Sequence, residues 1–213
     1  MKNMRDINIG VILWLLLCLS VNSYSQMVPM ENRDAFLKML EKNTGSVKSI
    51  ESNFEQVKHI DIFNDDVTSK GTFYYQSPDK IAMNYANPVK YSMIINGDQL
   101  KTVSNGKIST ISLSNNKMMK ELQTMISACM TGDISALAKG YKVGYFEDEN
   151  GYFVTLEPES AAIKSYITGF RIYFDKKSVL VERLRIDEGA EDYTEYKFSG
   201  QKVNTAINGE IFK

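Results

Sequence analysis

Residues 71–100, GTFYYQSPDKIAMNYANPVKYSMIINGDQL, predict three short strands and so decide the fold expected for the whole chain. Pro78 and Pro88 each lack a backbone donor and disfavour helix at the preceding residue, so a strand ends before each of them. The third strand ends at Asn96-Gly97-Asp98, whose residues tolerate positive φ in a tight hairpin. The stretch therefore predicts antiparallel strands joined by turns.

The strand between the two prolines alternates between apolar and polar side chains. Ile81, Met83 and Tyr85 point to one face, whereas Lys80 and Asn84 point to the other. The apolar members are bulky, aromatic or flexible. We interpret their face as the concave, apolar side of a curved sheet.

The rest of the chain continues this pattern with one interruption. A second Asn-Gly turn, at Asn105-Gly106, supports an antiparallel meander. Helical spacing appears in residues 31–43, 117–130 and 134–139, and residues 61–69 are predicted to be a polar turn. The predicted fold class is α+β, with one strongly curved antiparallel sheet of about ten to eleven strands and a lid of about three helices.

Residues 1–25 have the pattern of a cleaved export signal, which leaves residues 26–213 as one domain. Basic residues precede the apolar run Ile9–Leu19, which at about eleven residues is shorter than the roughly 20 that a membrane-spanning helix needs. Small residues follow in Ser23-Tyr24-Ser25, where a signal peptidase would cut. A lipoprotein signal ending at Cys18 is the alternative. Either signal predicts export.

The charges of the chain nearly cancel. It has 25 Lys and Arg, 26 Asp and Glu, and a net charge of −1. No basic cluster is interleaved with aromatic side chains, as nucleic-acid binding would require. We therefore expect no nucleic-acid partner.

The side chains that support metal binding or nucleophilic catalysis are scarce. His59 is the single histidine, and Cys129 is the one cysteine after the signal, so a zinc site of the usual composition is not expected. Asp61, Asp65 and Asp66 lack the spacing of an EF-hand and are interpreted as part of an exposed turn. A His59–Cys129 dyad stays open as an alternative. We expect no catalytic residues, no metal and no cofactor.

Residues 117–130, KMMKELQTMISACM, form a methionine-rich amphipathic helix. Methionine is flexible and polarizable, so the helix suits either a packed core or a cavity that accepts variable apolar ligands. Both interpretations stay open. With the sheet, this helix supplies the residues predicted to line a lipid-binding cavity: Phe54, Phe73, Tyr75, Ile81, Met83, Tyr85, Met93, Ile95, Met118, Leu122, Met125, Ile126, Phe170 and Ile172.

The chain resembles the periplasmic outer-membrane lipoprotein carrier (LolA-like) family over nearly all of residues 26–213. The matching segments are short, and the resemblance lies in their order and spacing. They are Phe54-Glu55-Gln56, Gly71 through Pro78 with Tyr85 and Pro88, Asn96-Gly97-Asp98, Leu156-Glu157-Pro158, Tyr196-Lys197-Phe198, Asn204 and Phe212. The resemblance implies an incomplete β-barrel with helices over a hydrophobic cavity.

The resemblance also implies a function. Family members carry the lipid anchor of lipoproteins through the periplasm, so the implied partners are acylated lipoproteins, an inner-membrane ATP-driven release complex and an outer-membrane acceptor. The protein would work in the periplasm as a monomer. A second branch of similar folds carries or senses other lipids, which is the alternative. An enzyme or a purely structural domain is the third hypothesis.

One position departs from the family pattern. Family members have Arg directly before the proline equivalent to Pro78, where it latches the helical lid by bonding to helix carbonyls; here that position is Ser77. A hydroxyl group is short and offers a single donor. We therefore expect Ser77, as the lid-latch position, to hold the lid weakly, or the latch to lie elsewhere.

Overall fold

The computed structural model describes residues 27–63, 65–189 and 191–213. The predicted export signal, residues 1–25, lies outside the described residues, as does its Cys18. Within the described part, no helix combines the length and the apolar character needed to cross a membrane.

Twelve strands of the described residues form one antiparallel sheet. In chain order they are β1 (Val28–Pro29), β2 (Ser49–Ile60), β3 (Asp65–Gln76), β4 (Lys80–Asn87), β5 (Tyr91–Asn96), β6 (Gln99–Ser104), β7 (Lys107–Ser112), β8 (Tyr141–Glu147), β9 (Gly151–Pro158), β10 (Gly169–Asp175), β11 (Val181–Gly189) and β12 (Asp192–Val203). Across the sheet their order is β1-β8-β9-β10-β11-β12-β2-β3-β4-β5-β6-β7, so the sheet is open, with β1 and β7 as its edges. The predicted α+β fold with an incomplete barrel is confirmed.

Most neighbouring strands are consecutive in the chain, and tight turns join many of these pairs. Gly97 and Gly106 take φ angles of 60° and 75° in the two Asn-Gly turns, where a side chain would be strained. The pairing of β12 with β2 is different, since it joins the last strand to the first long one, with Tyr196 opposite Gln56. This pairing merges two meanders into one continuous curved sheet.

Four α-helices accompany the sheet in the described residues: α1 (Arg33–Thr44), α2 (Lys117–Thr131), α3 (Ile134–Leu137) and α4 (Ala161–Lys164). Asn32 and Asn116 cap α1 and α2, since each side chain accepts an N–H of the first helical turn. Helix α2 ends at Gly132, where an added Cβ would collide with the Thr44 hydroxyl. Glycine therefore permits the close contact in which Thr44 Oγ1 donates to the Thr131 carbonyl at 3.0 Å.

The concave face of the sheet and the two long helices share one apolar core. Tyr75, Ile81 and Ile95 are cross-strand neighbours on that face, and all three are buried. Leu40 of α1 and Met125 of α2 are buried in the same core. Each large apolar side chain contributes about 1.5–3 kcal/mol on burial. The helices are therefore held over the concave side of the sheet.

A smaller apolar cluster lies on the opposite, outer face. Ala82 and Ile94 are cross-strand neighbours there, and Phe212 of the 3₁₀ turn Gly209–Phe212 covers them. The Asn96 side chain donates to the Phe212 carbonyl at 3.1 Å. The C-terminal segment thus shields the outer side of strands β4 and β5.

Some elements differ from the sequence-based expectation. The predicted turn over residues 61–69 is wrong beyond Phe63, because β3 begins at Asp65 and pairs with β2 as far as Ile60. The first residues of β3 are exposed on both faces, so pairing rather than burial defines the strand there. Strand β1 and helix α4 are too short to give a periodic signal. They raise the strands from the expected ten or eleven to twelve and the helices from three to four.

Candidate lipid-binding cavity

An apolar cavity of about 220 Å³ lies between the concave face of the sheet and α2. Its lining residues are Phe73, Met83, Met93, Ile95, Met119, Leu122, Ile126, Leu184, Ile186, Glu188, Thr194, Tyr196 and Phe198. An engineered apolar cavity of about 150 Å³ holds benzene, so by the same measure this one has room for roughly nine carbon atoms. That is part of one acyl chain.

Strands β3, β4 and β5 supply one wall as a continuous row. Phe73 stands opposite Met83, and Met83 stands opposite Met93. Side chains in such cross-strand pairs lie about 4.5–5.5 Å apart at Cβ, so the row has no gaps. Because methionine changes rotamer easily, the wall can adapt its shape to a ligand.

Helix α2 supplies the facing wall. Met119, Leu122 and Ile126 line the cavity, and their spacing of three and four residues puts them on one side of the helix. Met125 and Cys129 are fully buried in the core instead. The two interpretations of this helix, core and cavity, therefore apply to different faces of it.

A buried glutamine fastens α2 to the sheet. Gln123 Nε2 donates to the carbonyl oxygens of Asp79, at 3.1 Å, and Gly97, at 2.9 Å. These two residues lie in the turns that follow β3 and β5. Ser77 donates its backbone N–H to the Lys48 carbonyl at 2.9 Å, and no described hydrogen bond joins Ser77 to α2. Gln123 thus bonds the helix to the sheet turns, while the Thr44 hydroxyl bonds to Thr131 and the Tyr141 hydroxyl donates to Glu121 Oε1 at 2.7 Å at other points of α2.

Strands β11 and β12 complete the cavity. Leu184 stands opposite Tyr196, with Ile186 and Phe198 further along the same strands. The ring of Phe198 lies 5.2 Å from that of Phe73, centroid to centroid. This contact joins the wall formed by β3, β4 and β5 to the wall formed by β11 and β12.

One end of the cavity is polar. Thr194 Oγ1 donates to Glu188 Oε1 at 2.6 Å, and Lys58 Nζ donates to Glu188 Oε2 at 2.6 Å. The register shifts between Asp187 and Gly189, so Glu188 has no directly opposed partner on β12. Strand alternation puts Glu188 on the same face as Leu184 and Ile186, so its carboxylate lies at the edge of the apolar wall.

Two tyrosines lie next to this end. Tyr85 donates its hydroxyl to Gln56 Oε1 at 2.6 Å, and its ring meets that of Phe54 edge-on at 4.9 Å. Burial raises the pKa of Tyr85, and burial followed by the nearby Tyr85 raises the pKa of Tyr196. Both phenols therefore stay uncharged, so they add hydrogen-bonding groups without adding charge.

The structure brings some of the predicted cavity residues together and places others elsewhere. Those in the cavity wall are Phe73, Met83, Met93, Ile95, Leu122 and Ile126. Those in the packed core are Tyr75, Ile81, Met125, Phe170 and Ile172. Phe54 and Tyr85 form the aromatic contact beside Tyr196, while Met118 lines a separate cleft with Ile163 and Tyr166.

Seven lining residues were outside the predicted set. They are Met119, Leu184, Ile186, Glu188, Thr194, Tyr196 and Phe198. The alternation of apolar and polar residues in β11 and β12 was a usable signal for several of them. The alternation does not show which strand lies beside β12. The pairing of β12 with β2 is what brings these side chains into the same cavity as Met83.

Groups with chemical reactivity lie apart from one another. His59 Nδ1 is 2.7 Å from Asp66 Oδ1, and the His59 ring stacks on Tyr193. Cys129 lies against Met125, with 3.5 Å between the sulfur atoms, and burial raises its pKa. Neither residue has a described contact with the other. Within residues 27–63, 65–189 and 191–213, no group of three His, Cys, Asp or Glu side chains is placed to hold a metal ion.

An open antiparallel half-barrel with helices over an apolar cavity defines a binding fold. Residues 45–213 match the model of the family described as "Outer membrane lipoprotein carrier protein LolA". The chain belongs to this family, so the resemblance seen in the sequence is confirmed. The comparison with curated proteins gave no sequence match.

Several solved structures share the fold. MucB has 11% identity and a TM-score of 0.51, over 86% of this chain and 63% of MucB, so the chain spans less than two thirds of that protein. An uncharacterized conserved protein from Thermus thermophilus has 6% identity and a TM-score of 0.50, over 86% of this chain and 94% of that one. The Mycobacterium tuberculosis lipoprotein LppX has 14% identity and a TM-score of 0.45, over 83% and 98%. At these identities the likeness to MucB and to the Thermus thermophilus protein shows the fold alone.

Proposed function

We propose that this protein is a periplasmic carrier that binds the acyl chains of lipoproteins in its cavity and transfers them toward the outer membrane. Membership of the lipoprotein carrier family supports this proposal. The observation that carries it is the cavity itself, in which flexible methionines stand on both the sheet wall and the helix wall. Each acyl methylene that such a wall removes from water contributes about 0.8 kcal/mol.

The proposal includes two docking partners. An inner-membrane ATP-driven release complex would load the cavity, and an outer-membrane acceptor would empty it. The cavity holds only part of a chain while α2 is in place, so loading requires this helix to move outward. A partner can shift that equilibrium only through a higher affinity for the open form. In the proposed function the protein acts as a monomer and catalyses no reaction.

A second candidate is a carrier or sensor of another acylated lipid. The cavity volume of about 220 Å³ favours it, because a lipoprotein anchor with several chains exceeds this space more than a single-chain lipid does. MucB, which shares the fold, occurs in a solved complex with MucA, so a relative of this chain also binds a protein. The two candidates share the cavity and differ in the cargo.

Extraction from membranes tests the proposal. Vesicles that hold an acylated lipoprotein are incubated with the purified protein and sedimented, and the supernatant is analysed by native mass spectrometry. We expect a one-to-one soluble complex that carries the acyl anchor. The matched control is the same lipoprotein with its acylated cysteine replaced by alanine, which should remain unbound.

The outcomes separate the candidates. If the non-acylated control binds equally well, the protein recognises the polypeptide and the carrier proposal fails. If lipids of the vesicle are extracted while the lipoprotein stays behind, the second candidate replaces the first.

A further inference from the structure

The polar end of the cavity is built from three strands that bring a cation, an anion and a hydroxyl group together. Lys58 of β2 stands opposite Thr194 of β12, and Glu188 reaches both of them from the irregular end of β11. The distances to the Glu188 carboxylate are 2.6 Å from Lys58 Nζ and 2.6 Å from Thr194 Oγ1, and Lys58 Nζ lies 3.4 Å from Thr194 Oγ1. We refer to Lys58, Glu188 and Thr194 as the polar cluster.

The polar cluster is only partly exposed to solvent. The Lys58 and Glu188 side chains are 37% and 30% exposed, and Thr194 is buried. Taking such groups out of water costs free energy that is recovered only when they are paired. An apolar side chain would fit the same wall without this cost. A cavity that binds only hydrocarbon would gain nothing from the cluster to offset this desolvation free energy.

Of the polar cluster, Glu188 and Thr194 line the cavity, whereas Lys58, the cross-strand neighbour of Thr194, contacts both of them without lining it. Each carboxylate oxygen accepts one described bond and has a second lone pair left. The Thr194 hydroxyl donates its hydrogen to Glu188, so its oxygen can still accept. A ligand at this end thus meets hydrogen-bond acceptors whose charge is already balanced by Lys58.

We propose that the polar cluster binds the uncharged, hydrogen-bond-donating head of an acyl ligand, such as an amide N–H or a glycerol hydroxyl, and rejects a free carboxylate. This inference rests on the proposed function and specifies the chemistry of its cargo. The acyl chain lies along the methionine row, and the head donates to Glu188. N-acylated and glycerol-linked lipids have both an acyl chain and an uncharged hydrogen-bond donor, whereas free fatty acids at neutral pH have only the acyl chain.

Rejection of a fatty-acid carboxylate follows from the charges. At this end of the cavity it would lie beside the Glu188 carboxylate, whose pairing already balances the charge of Lys58, so two carboxylates would stand side by side in a half-buried site. Like charges at that distance repel strongly where water is scarce. An uncharged donor avoids this because it adds a bond to Glu188 and breaks none.

The test compares two ligands with the same chain, 1-monododecanoylglycerol and dodecanoate, at about pH 8, where a fatty-acid carboxyl group is ionised. Each displaces the neutral fluorescent probe N-phenyl-1-naphthylamine from the purified full protein. We expect the glycerol ester to bind about tenfold more tightly than dodecanoate. In Glu188→Gln this preference should fall by at least about tenfold, because Lys58 then has no carboxylate partner.

Two further variants make the result specific. Glu182→Gln removes an exposed carboxylate from the same strand and should leave the preference unchanged. Lys58→Met leaves Glu188 unbalanced and should increase the preference for the glycerol ester. It therefore tests the inference even if Glu188→Gln does not fold, as judged by circular dichroism.

The results distinguish this inference from the proposed function. If both ligands bind and neither Glu188→Gln nor Lys58→Met changes the ratio of their affinities, the polar cluster does not bind the head of the ligand and the inference is overturned. If neither ligand displaces the probe from the unmodified protein and no acylated lipoprotein is extracted from vesicles, the carrier function itself fails.

Discussion

Each residue type in the cavity wall has its own physical role. Met83 and Met93 provide contact area that can change shape, while Glu188 provides a fixed polar point at one end. A position in the wall therefore differs from the next position along the strand, whose side chain points to the other face. Substitutions at adjacent residues can separate these roles.

Met83→Glu places a carboxylate in the methionine row. We expect it to weaken displacement of the probe by 1-monododecanoylglycerol at least about tenfold, since an acyl chain cannot solvate the charge. Glutamate is close to methionine in size and can extend into the cavity, so the protein should stay folded, as circular dichroism would show. Asn84→Glu, on the opposite face of the same strand, should bind like the unmodified protein. Unchanged binding in Met83→Glu would mean that acyl chains do not occupy this cavity.

The contribution of a buried hydroxyl group to the free energy of unfolding should depend on whether it has a hydrogen-bond partner. The Ser52 hydroxyl is buried and has no hydrogen-bond partner among the described residues, whereas the Leu40 and Thr131 carbonyls share the single hydrogen of the Thr44 hydroxyl. We expect Ser52→Ala to leave the free energy of unfolding unchanged or to raise it by up to about 1 kcal/mol, and Thr44→Val to lower it by about 1 kcal/mol. Urea unfolding measures both. A loss above about 1 kcal/mol for Ser52→Ala would reveal a partner for that hydroxyl.

At the scale of the element, α2 divides between two tasks. One face lines the cavity, and the adjoining face, with Met125 and Cys129, is packed into the core. Gln123 of α2 donates two hydrogen bonds to carbonyls of the sheet turns, and these join the helix to the turns after β3 and β5. In the proposed function α2 moves outward on loading, so these bonds would set part of the free energy of opening.

Gln123→Leu keeps the approximate size of the side chain and removes both bonds to the sheet turns, together with the bond that Lys120 Nζ donates to Gln123 Oε1 within the helix. The carbonyls of Asp79 and Gly97 then lose their donor, which costs about 1–3 kcal/mol. We expect faster hydrogen exchange of the α2 amides while exchange in β2 and β12 stays unchanged, because the opening is local. Thr124→Val is the control, since that exposed hydroxyl bonds only within its own helix, to the Lys120 carbonyl. Equal exchange in Gln123→Leu and the unmodified protein would rule out Gln123 as the latch.

The whole molecule keeps its two apolar clusters on opposite faces of one sheet. The inner cluster surrounds the cavity, and the outer one joins the C-terminal segment to β4 and β5. Stability and ligand binding can therefore be changed separately. A sheet only one layer thick has this property because alternate side chains belong to different environments.

Phe212→Ala tests this separation. Removal of the buried ring should lower the free energy of unfolding by about 3 kcal/mol, measured by urea unfolding. Binding of 1-monododecanoylglycerol should change less than about twofold at a temperature where the variant is folded. If the affinity falls much further, the two faces are coupled through the strands between them.

The sequence by itself determined the local structure. The hairpins around Asn96 and Asn105, the two faces of β4 and the amphipathic α2 all follow from turn chemistry and periodicity, which act between near neighbours in the chain. The scarcity of histidine and cysteine is likewise a property of the amino-acid composition alone. These features predict the curved sheet, its helical lid and the methionine-rich surface.

Only the tertiary structure decided which side chains meet. Periodicity states that a strand has two faces, but not which strand lies beside it, and the β12–β2 pairing spans most of the chain. That pairing brings Lys58 to Thr194 and completes the cavity, and the packing of α2 on the sheet turns gives the Gln123 side chain its two carbonyl acceptors. Burial and register are properties of contacts distant in sequence, so no local pattern contains them.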